Sequence, residues 1–217
     1  VTKGSEIMPI TRSMYIWPAF HSRPTVSSTK AVVAAGHYLA TAAGIRMLAK
    51  GGNAIDAGVA AGFALAALRP HKNGIGGEAP TLVYSPKLGK AFAISGVGTA
   101  PKALTIDWLR QRGIKSIPGF GYLGAIVPSQ IGAFCTALSL FGTLPLDEVL
   151  QPAMEICFDG YPCYEGLREY LSTTEDGLFT KQLPENGRVF LKDGKAPKLG
   201  ELIKQPDLGA TYQRMAD

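Results

Sequence analysis

The stretch that most constrains this chain is Ala54 to Leu68, drawn almost entirely from Ala, Gly, Val, Leu, Ile and Phe, with one carboxylate at Asp56. A segment that is apolar all round must be covered on more than one side. A bilayer is not that cover: the run is bounded by Asp56 and Arg69 and falls short of the ~20 residues a membrane span needs. It is therefore read as an interior helix. Asn53 is a favoured N-cap and Asp56 stands three residues on, a carboxylate variant of the capping box that also suits the positive end of the helix dipole. Gly58, Ala60, Ala61, Gly62, Ala64, Ala66 and Ala67 are small, which lets neighbouring backbones or a sheet come close. The two glycines cost about 1 kcal/mol each in helix propensity, and the surrounding core must offset that.

The flanking text builds outward from this helix. Ala31 to Ala35 reads as a short buried strand with Gly36-His37 as its turn. A helix carrying Leu39, Ala42, Ala43, Ile45, Met47 and Leu48 follows, and Lys50-Gly51-Gly52 supplies its stop. Downstream, His71 to Glu78 is a glycine-rich loop. Thr81 to Tyr84 and Lys90 to Ser95 then form a hairpin that turns through Ser85-Pro86 and Leu88-Gly89. Gly119 to Gly124, Pro128 and Gly132 mark a loop before a helix over Ile131 to Phe141. A further helix runs from Glu148 to Phe158 and ends at Asp159-Gly160, and the remainder to 217 is helical in pieces. Residues 1–30 lack any sustained period and are read as an extended N-terminal arm, leaving 31–217 as part of a single domain.

Composition removes several function classes. With 46% hydrophobic and 18% charged residues the chain can build a core and is not disordered as a whole. Its net charge of +5 is scattered rather than gathered into a run, so no nucleic-acid partner is expected. No membrane partner is expected either, and the short apolar run Met14 to Phe20, broken by Pro18, does not read as a secretion signal. Cys135, Cys157 and Cys163 have neither disulfide-framework nor zinc spacing and read as buried reduced thiols. Three histidines, none paired with a carboxylate at helical spacing, give no metal site, and no cofactor is assigned. The glycine loop fits neither a P-loop nor a dinucleotide fingerprint, because it joins a helix to a strand and no Lys-Ser or Lys-Thr follows at the required spacing. It reads as a tight connection whose glycines relax backbone sterics, or as the wall of an active site.

Several segments in order resemble the large-subunit portion of the γ-glutamyltransferase family. They are Val32 to His37, Gly51-Gly52-Asn53-Ala54-Ile55-Asp56-Ala57, Asn73 to Gly77, Thr99-Ala100-Pro101, Gly142 to Leu146, Gln151-Pro152-Ala153, Asp159-Gly160 and Gln205 to Leu208 with Ala210. The resemblance covers about residues 31–217. It implies an α+β fold, the four-layer αββα sandwich of N-terminal-nucleophile hydrolases, incomplete in this chain. It also implies a precursor that cuts itself into a heterodimer, the new N-terminal threonine of the small subunit acting as nucleophile and its own amine as base. On that reading no catalytic residue lies in this chain, and its partners are the small subunit from the same precursor and a small-molecule amide. The transferases grip the donor's α-carboxylate with an arginine a few residues before the Ala-Pro pair. Here that place holds Val97, within Ser95-Gly96-Val97-Gly98-Thr99, and a valine cannot form the charge-assisted fork. The implied substrate-binding residues are therefore Val97 and Gly98, with His71 a further candidate. Arg69, Lys72 and His71 are the cations available to substitute, although Arg69 and Lys72 read first as solvated groups at a helix end and His71 as a structural histidine. The resulting expectation is an amidohydrolase or acylase, with a true γ-glutamyl transferase or glutathione hydrolase, and a catalytically dead interaction module, as alternatives.

Overall fold

The junction at Asn53 and Asp56 organises the protein. In the computed structural model, which describes residues 25–119 and 121–217, helix α1 (Tyr38–Ala49) leads into helix α2 (Ala54–Leu68) through Lys50 to Asn53. The Asn53 side chain accepts from the Ile55 and Asp56 amides while Asp56 accepts from the Asn53 amide at 2.7 Å, so the capping box read from sequence is present in full. Asp56 is fully buried and reaches much further than its own helix. It also accepts from the Thr143 amide and hydroxyl, at 2.9 and 2.6 Å, and from the Leu144 amide. Asn53 Nδ2 donates to the Phe141 carbonyl at 2.6 Å. One turn of sequence thus pins the start of α2 to a loop 87 residues away.

That loop joins α4 (Gln130–Phe141) to α5 (Leu146–Asp159), two helices whose extents the sequence anticipated within two residues. Ten of the fifteen α2 residues are buried, because α1, α4 and α5 all pack on it. The small side chains serve the close approach expected of them: a Cβ on Gly62 would sit 2.5 Å from the Phe134 ring, and one on Gly44 of α1 would sit 2.9 Å from the Ala57 carbonyl. Helix α8 (Pro206–Ala216) closes the far side against α5, and its Tyr212 hydroxyl donates to the Phe63 carbonyl at 3.0 Å. Phe63 stacks edge-on to both Phe134 and Tyr212. A shorter helix α6 (Glu165–Thr174), one π-helical turn at Leu178–Gln182 and α7 (Pro184–Phe190) complete the helical body.

The strand content is small. Strands β1 (Thr81–Ser85) and β2 (Lys90–Ile94) form the expected antiparallel hairpin, with Val83 opposite Phe92 and Tyr84 opposite Ala91. Alternation along β1 buries Val83 and leaves Leu82 and Tyr84 exposed, as a sheet covered on one face requires. Two-residue strands β3 (Tyr161–Pro162) and β4 (Leu202–Ile203) pair near the end of α5. The segment from Ala31 to Ala35 departs from the sequence reading. It carries no ladder with any described residue, and Val33 packs its side chain on Gly44 instead. Its β-branched text satisfies a strand's packing preference, but a strand also needs a neighbour for its amides.

Residues 25–32 belong to a separate N-terminal unit, in which the Lys30 and Ala31 amides turn onto the Ser28 hydroxyl. The rest of the predicted arm, residues 1–24, lies outside the described residues. No described helix is long and apolar enough to cross a membrane. Cys157 and Cys163 are buried and Cys135 partly so, all three as free thiols. Burial pushes the Cys157 thiol up to about 12, far from the thiolate that reactivity needs.

Candidate functional site

Beyond β2 the chain passes through Ser95 to Thr99, where the sequence placed Val97 and Gly98. The segment is held through its backbone carbonyls, by two amides and one hydroxyl. The Ala79 amide donates to the Gly96 carbonyl at 2.8 Å and the Val127 amide to the Thr99 carbonyl at 2.9 Å. The Ser129 hydroxyl donates to the Gly96 carbonyl at 2.7 Å. Gly96 has φ 52°, and a Cβ there would lie 2.1 Å from the Ala79 oxygen; one on Gly98 would lie 2.1 Å from the Val127 oxygen. Both positions therefore exclude any side chain, by the close approach of a neighbouring strand of backbone and, at Gly96, also by conformation. Between these two fixed points Val97 presents an isopropyl group that is 50% exposed. Any residue at 97 is therefore displayed at a defined place on the surface.

The glycine loop divides its work. Gly77 receives the amides of Ser129 and Gln130 on its carbonyl, tying the loop to the start of α4 and so to the Val97 segment. None of Gly74, Gly76 and Gly77 has a positive φ; the conformational demand expected of this loop falls instead on Gly96. The first half of the loop, Asn73 to Ile75, lines a cleft of about 530 Å3 together with α7 and the start of α8. The loop is thus a connection tied at Gly77 to the start of α4, and its first half borders a cleft.

His71 lies elsewhere. Its ring is 5.3 Å from that of Tyr170 and 6.3 Å from that of Tyr164, and the residues around it have no member in common with those around Gly98. Its Nδ1 is enclosed and without a hydrogen-bond partner. Burial, then the positive charges of Arg69 and Lys72, holds its pKa below the usual value. His37 is lowered in the same way, by burial and then by Arg69, and its Nδ1 accepts the Leu39 amide as the N-cap of α1. Among the described residues no three His, Cys, Asp or Glu side chains gather as a metal site would require. What sequence reasoning missed is the pinning of Val97 by Ala79, Val127 and Ser129. The signal available was the glycine bracket itself, Gly96-Val97-Gly98.

Residues 40–217 match the family described as gamma-glutamyltranspeptidase. The chain is 33% identical over 194 residues to the glutathione hydrolase-like YwrD proenzyme of Bacillus subtilis, covering 89% of the chain and 36% of that relative. Superposed on the gamma-glutamyltranspeptidase structure from Helicobacter pylori it gives a TM-score of 0.81 at 30% identity, covering 89% of this chain and 56% of that one. Against the cephalosporin acylase structure from Bacillus halodurans the TM-score is 0.77 at 33% identity, over 82% of this chain and 34% of that one. These likenesses define the class first: the chain has the α+β fold of the four-layer αββα N-terminal-nucleophile hydrolases, of which the described residues carry helices and a hairpin. It belongs to the gamma-glutamyltranspeptidase family. The relatives are amide hydrolases and transferases, several of them named as proenzymes, and the chain spans about a third of the length of the curated relatives it matches.

Proposed function

We propose that this chain is the large-subunit portion of an amidohydrolase or acylase, working with a small subunit released from the same precursor whose N-terminal threonine is the nucleophile. In that mechanism the threonine hydroxyl attacks the amide carbonyl, its own α-amine takes the proton, and the leaving amine departs before water resolves the ester. The chain contributes the wall on which the acyl group is sorted. The observation that carries the substrate preference is Val97, an apolar side chain held between Gly96 and Gly98 where the resemblance expects a carboxylate-binding arginine. Replacing a charge-assisted fork with an isopropyl group removes on the order of 1.5–3 kcal/mol of carboxylate binding and suits an acyl chain without a charged end.

The relatives' glutathione hydrolase names favour a second reading, a γ-glutamyl hydrolase with its carboxylate held by another cation. The two readings separate in one assay of the complete protein on γ-glutamyl anilides and simple acyl anilides. We expect the acyl substrates to be turned over with the higher kcat/KM, and Val97→Arg to shift the ratio ~10-fold or more toward γ-glutamyl substrates, as the same 1.5–3 kcal/mol of restored binding requires. Equal rates on both, or a ratio unmoved by Val97→Arg, would count against the acylase reading. Hydrolysis that survived removal of the small subunit's threonine would sink both.

A further inference from the structure

Ser129 occupies the N-cap position of α4 and does not cap it: its backbone is non-helical (φ −129°, ψ −15°), and its hydroxyl makes no bond to the first amides of the helix. A serine in that position ordinarily accepts from the second or third amide of its own helix. Here the hydroxyl turns sideways. It donates to the Gly96 carbonyl at 2.7 Å, with the Gly77 carbonyl at a longer 3.3 Å. The Gly96 oxygen also accepts the Ala79 amide at 2.8 Å, so two donors engage its two lone pairs. The peptide that joins Gly96 to Val97 is thereby held from two sides, by the chain just past the glycine loop and by the start of α4. Ser129 is itself firmly placed. Its amide and that of Gln130 both donate to the Gly77 carbonyl, its own carbonyl accepts the Ala133 amide at 2.9 Å, and Gln130 is fully buried. Close approach adds to the hold: a Cβ on Gly96 would lie 3.0 Å from the Ala133 methyl as well as 2.1 Å from the Ala79 oxygen.

We propose that Ser129 is a positioning residue for substrate selection: by holding the Gly96 carbonyl it fixes the orientation of the next peptide, and hence the direction in which residue 97 meets the acyl group. This rests on the reading of Val97 as the wall against which an uncharged acyl chain is sorted. Ser129 acts only through that segment. Without its proton the Gly96 carbonyl keeps the Ala79 amide alone, and the peptide between 96 and 97 gains freedom to rock about that single bond. The isopropyl group then meets the acyl chain in several orientations, and ordering it costs binding each time. Contact with the acyl chain is made in the ground state and the transition state alike, so the loss falls on KM and spares kcat.

The test measures kcat and KM of the complete protein, small subunit included, on an uncharged acyl anilide and a γ-glutamyl anilide. We expect Ser129→Ala to raise KM for the acyl anilide about 5-fold, the equivalent of one neutral hydrogen bond, with kcat nearly unchanged. Ser129→Thr keeps the donor and restores the KM. Ser129→Cys, close in size with a weak donor, gives an intermediate rise and serves in place of Ser129→Ala if that variant does not fold. Thr136→Ala removes a hydroxyl bond to the Gly132 carbonyl elsewhere on α4 and leaves KM as it was. Combined with Val97→Arg, Ser129→Ala cuts the ~10-fold shift toward γ-glutamyl substrates to ~3-fold or less, because a rocking segment cannot present the fork. An unchanged KM in Ser129→Ala or Ser129→Cys, or a fall in kcat alone as loss of folded protein would give, overturns the proposal. So does a double variant whose shift equals that of Val97→Arg. Either result leaves the reading of Val97 standing, whereas a substrate ratio unmoved by Val97→Arg alone removes that reading and the role of Ser129 with it.

Discussion

The helical body and the Val97 segment are stabilised in opposite ways. Around α2 the fold rests on buried apolar contact: Phe63, Leu68, Met47, Leu150 and Tyr212 are almost wholly shielded, and four helices share the cost of each other's desolvation. From Ser95 to Val127 the described residues are mostly exposed, and α3 (Ile106–Gln111) contains no buried residue. There the geometry comes from bonds to backbone carbonyls, one of them from the Ser129 hydroxyl, and from glycines that let backbones touch. The contrast teaches that the two regions answer to different substitutions. Volume matters in the first, and φ/ψ and close approach matter in the second, where a side chain such as Val97 is free to change without disturbing the core.

This comparison can be broken in several places, and the largest effect is expected in the core. Phe63→Ala removes a ring stacked on Phe134 and Tyr212 and should cost about 3–5 kcal/mol, read as a lower denaturation midpoint. A loss under ~1 kcal/mol would mean that α2 is not the centre of the fold. Next in size is Asp56→Asn. Burial alone would raise the Asp56 carboxyl, but the Thr143 hydroxyl and the amides of Asn53, Thr143 and Leu144 outweigh it and hold it below its usual value. The neutral amide forfeits charge-assisted bonds to several of these donors, at a cost of about 2–3 kcal/mol. Because the folded value is the lower one, the carboxylate's contribution is present above the unfolded pKa near 3.8 and disappears as the pH falls through the folded value.

A smaller effect at milder pH sharpens the picture. His37 and His71 are both lowered, burial first and Arg69 second, so the unfolded chain binds protons that the folded one refuses. Stability should be full above pH 6.5 and decline as the pH falls toward the folded values, with up to two protons taken up on unfolding. His37 adds a structural cost, since a protonated Nδ1 cannot accept the Leu39 amide that caps α1. Urea midpoints measured from pH 7.5 to 5 give the slope, and His37→Asn, which keeps a capping acceptor, should reduce it. Smallest of all, Leu82→Ser on the exposed face of the hairpin, where Leu82 is 82% exposed, should change the stability of this chain by no more than ~0.5 kcal/mol. A larger loss would show that the hairpin's outer face is buried in the working protein.

How much of this was legible depends on the range of the interaction. The capping box, the bounds of α2, the existence of the hairpin and helices α4 and α5 follow from spacing within a few residues, and they stand to within two residues of the reading. The Asp56 bonds to Thr143 and Leu144 did not, because nothing near residue 56 encodes a loop 87 residues away. The strand expected at Ala31 to Ala35 lacks a described partner for the same reason: strand text specifies a surface, whereas a ladder needs a second chain segment. For the site, the bracket of Gly96 and Gly98 went unread, and which carbonyls they approach is a tertiary fact. His71 and Val97 were grouped by the resemblance, and the fold places them among different neighbours.

The many small residues of α2 set where this protein can be modified. A Cβ on Gly58 meets nothing within 4 Å, whereas the same atom on Gly62, one turn later, would strike Phe134. Gly58 is thus an exposed position in the middle of a mostly buried helix, where a cysteine could carry a spectroscopic reporter and sense the interior from its edge.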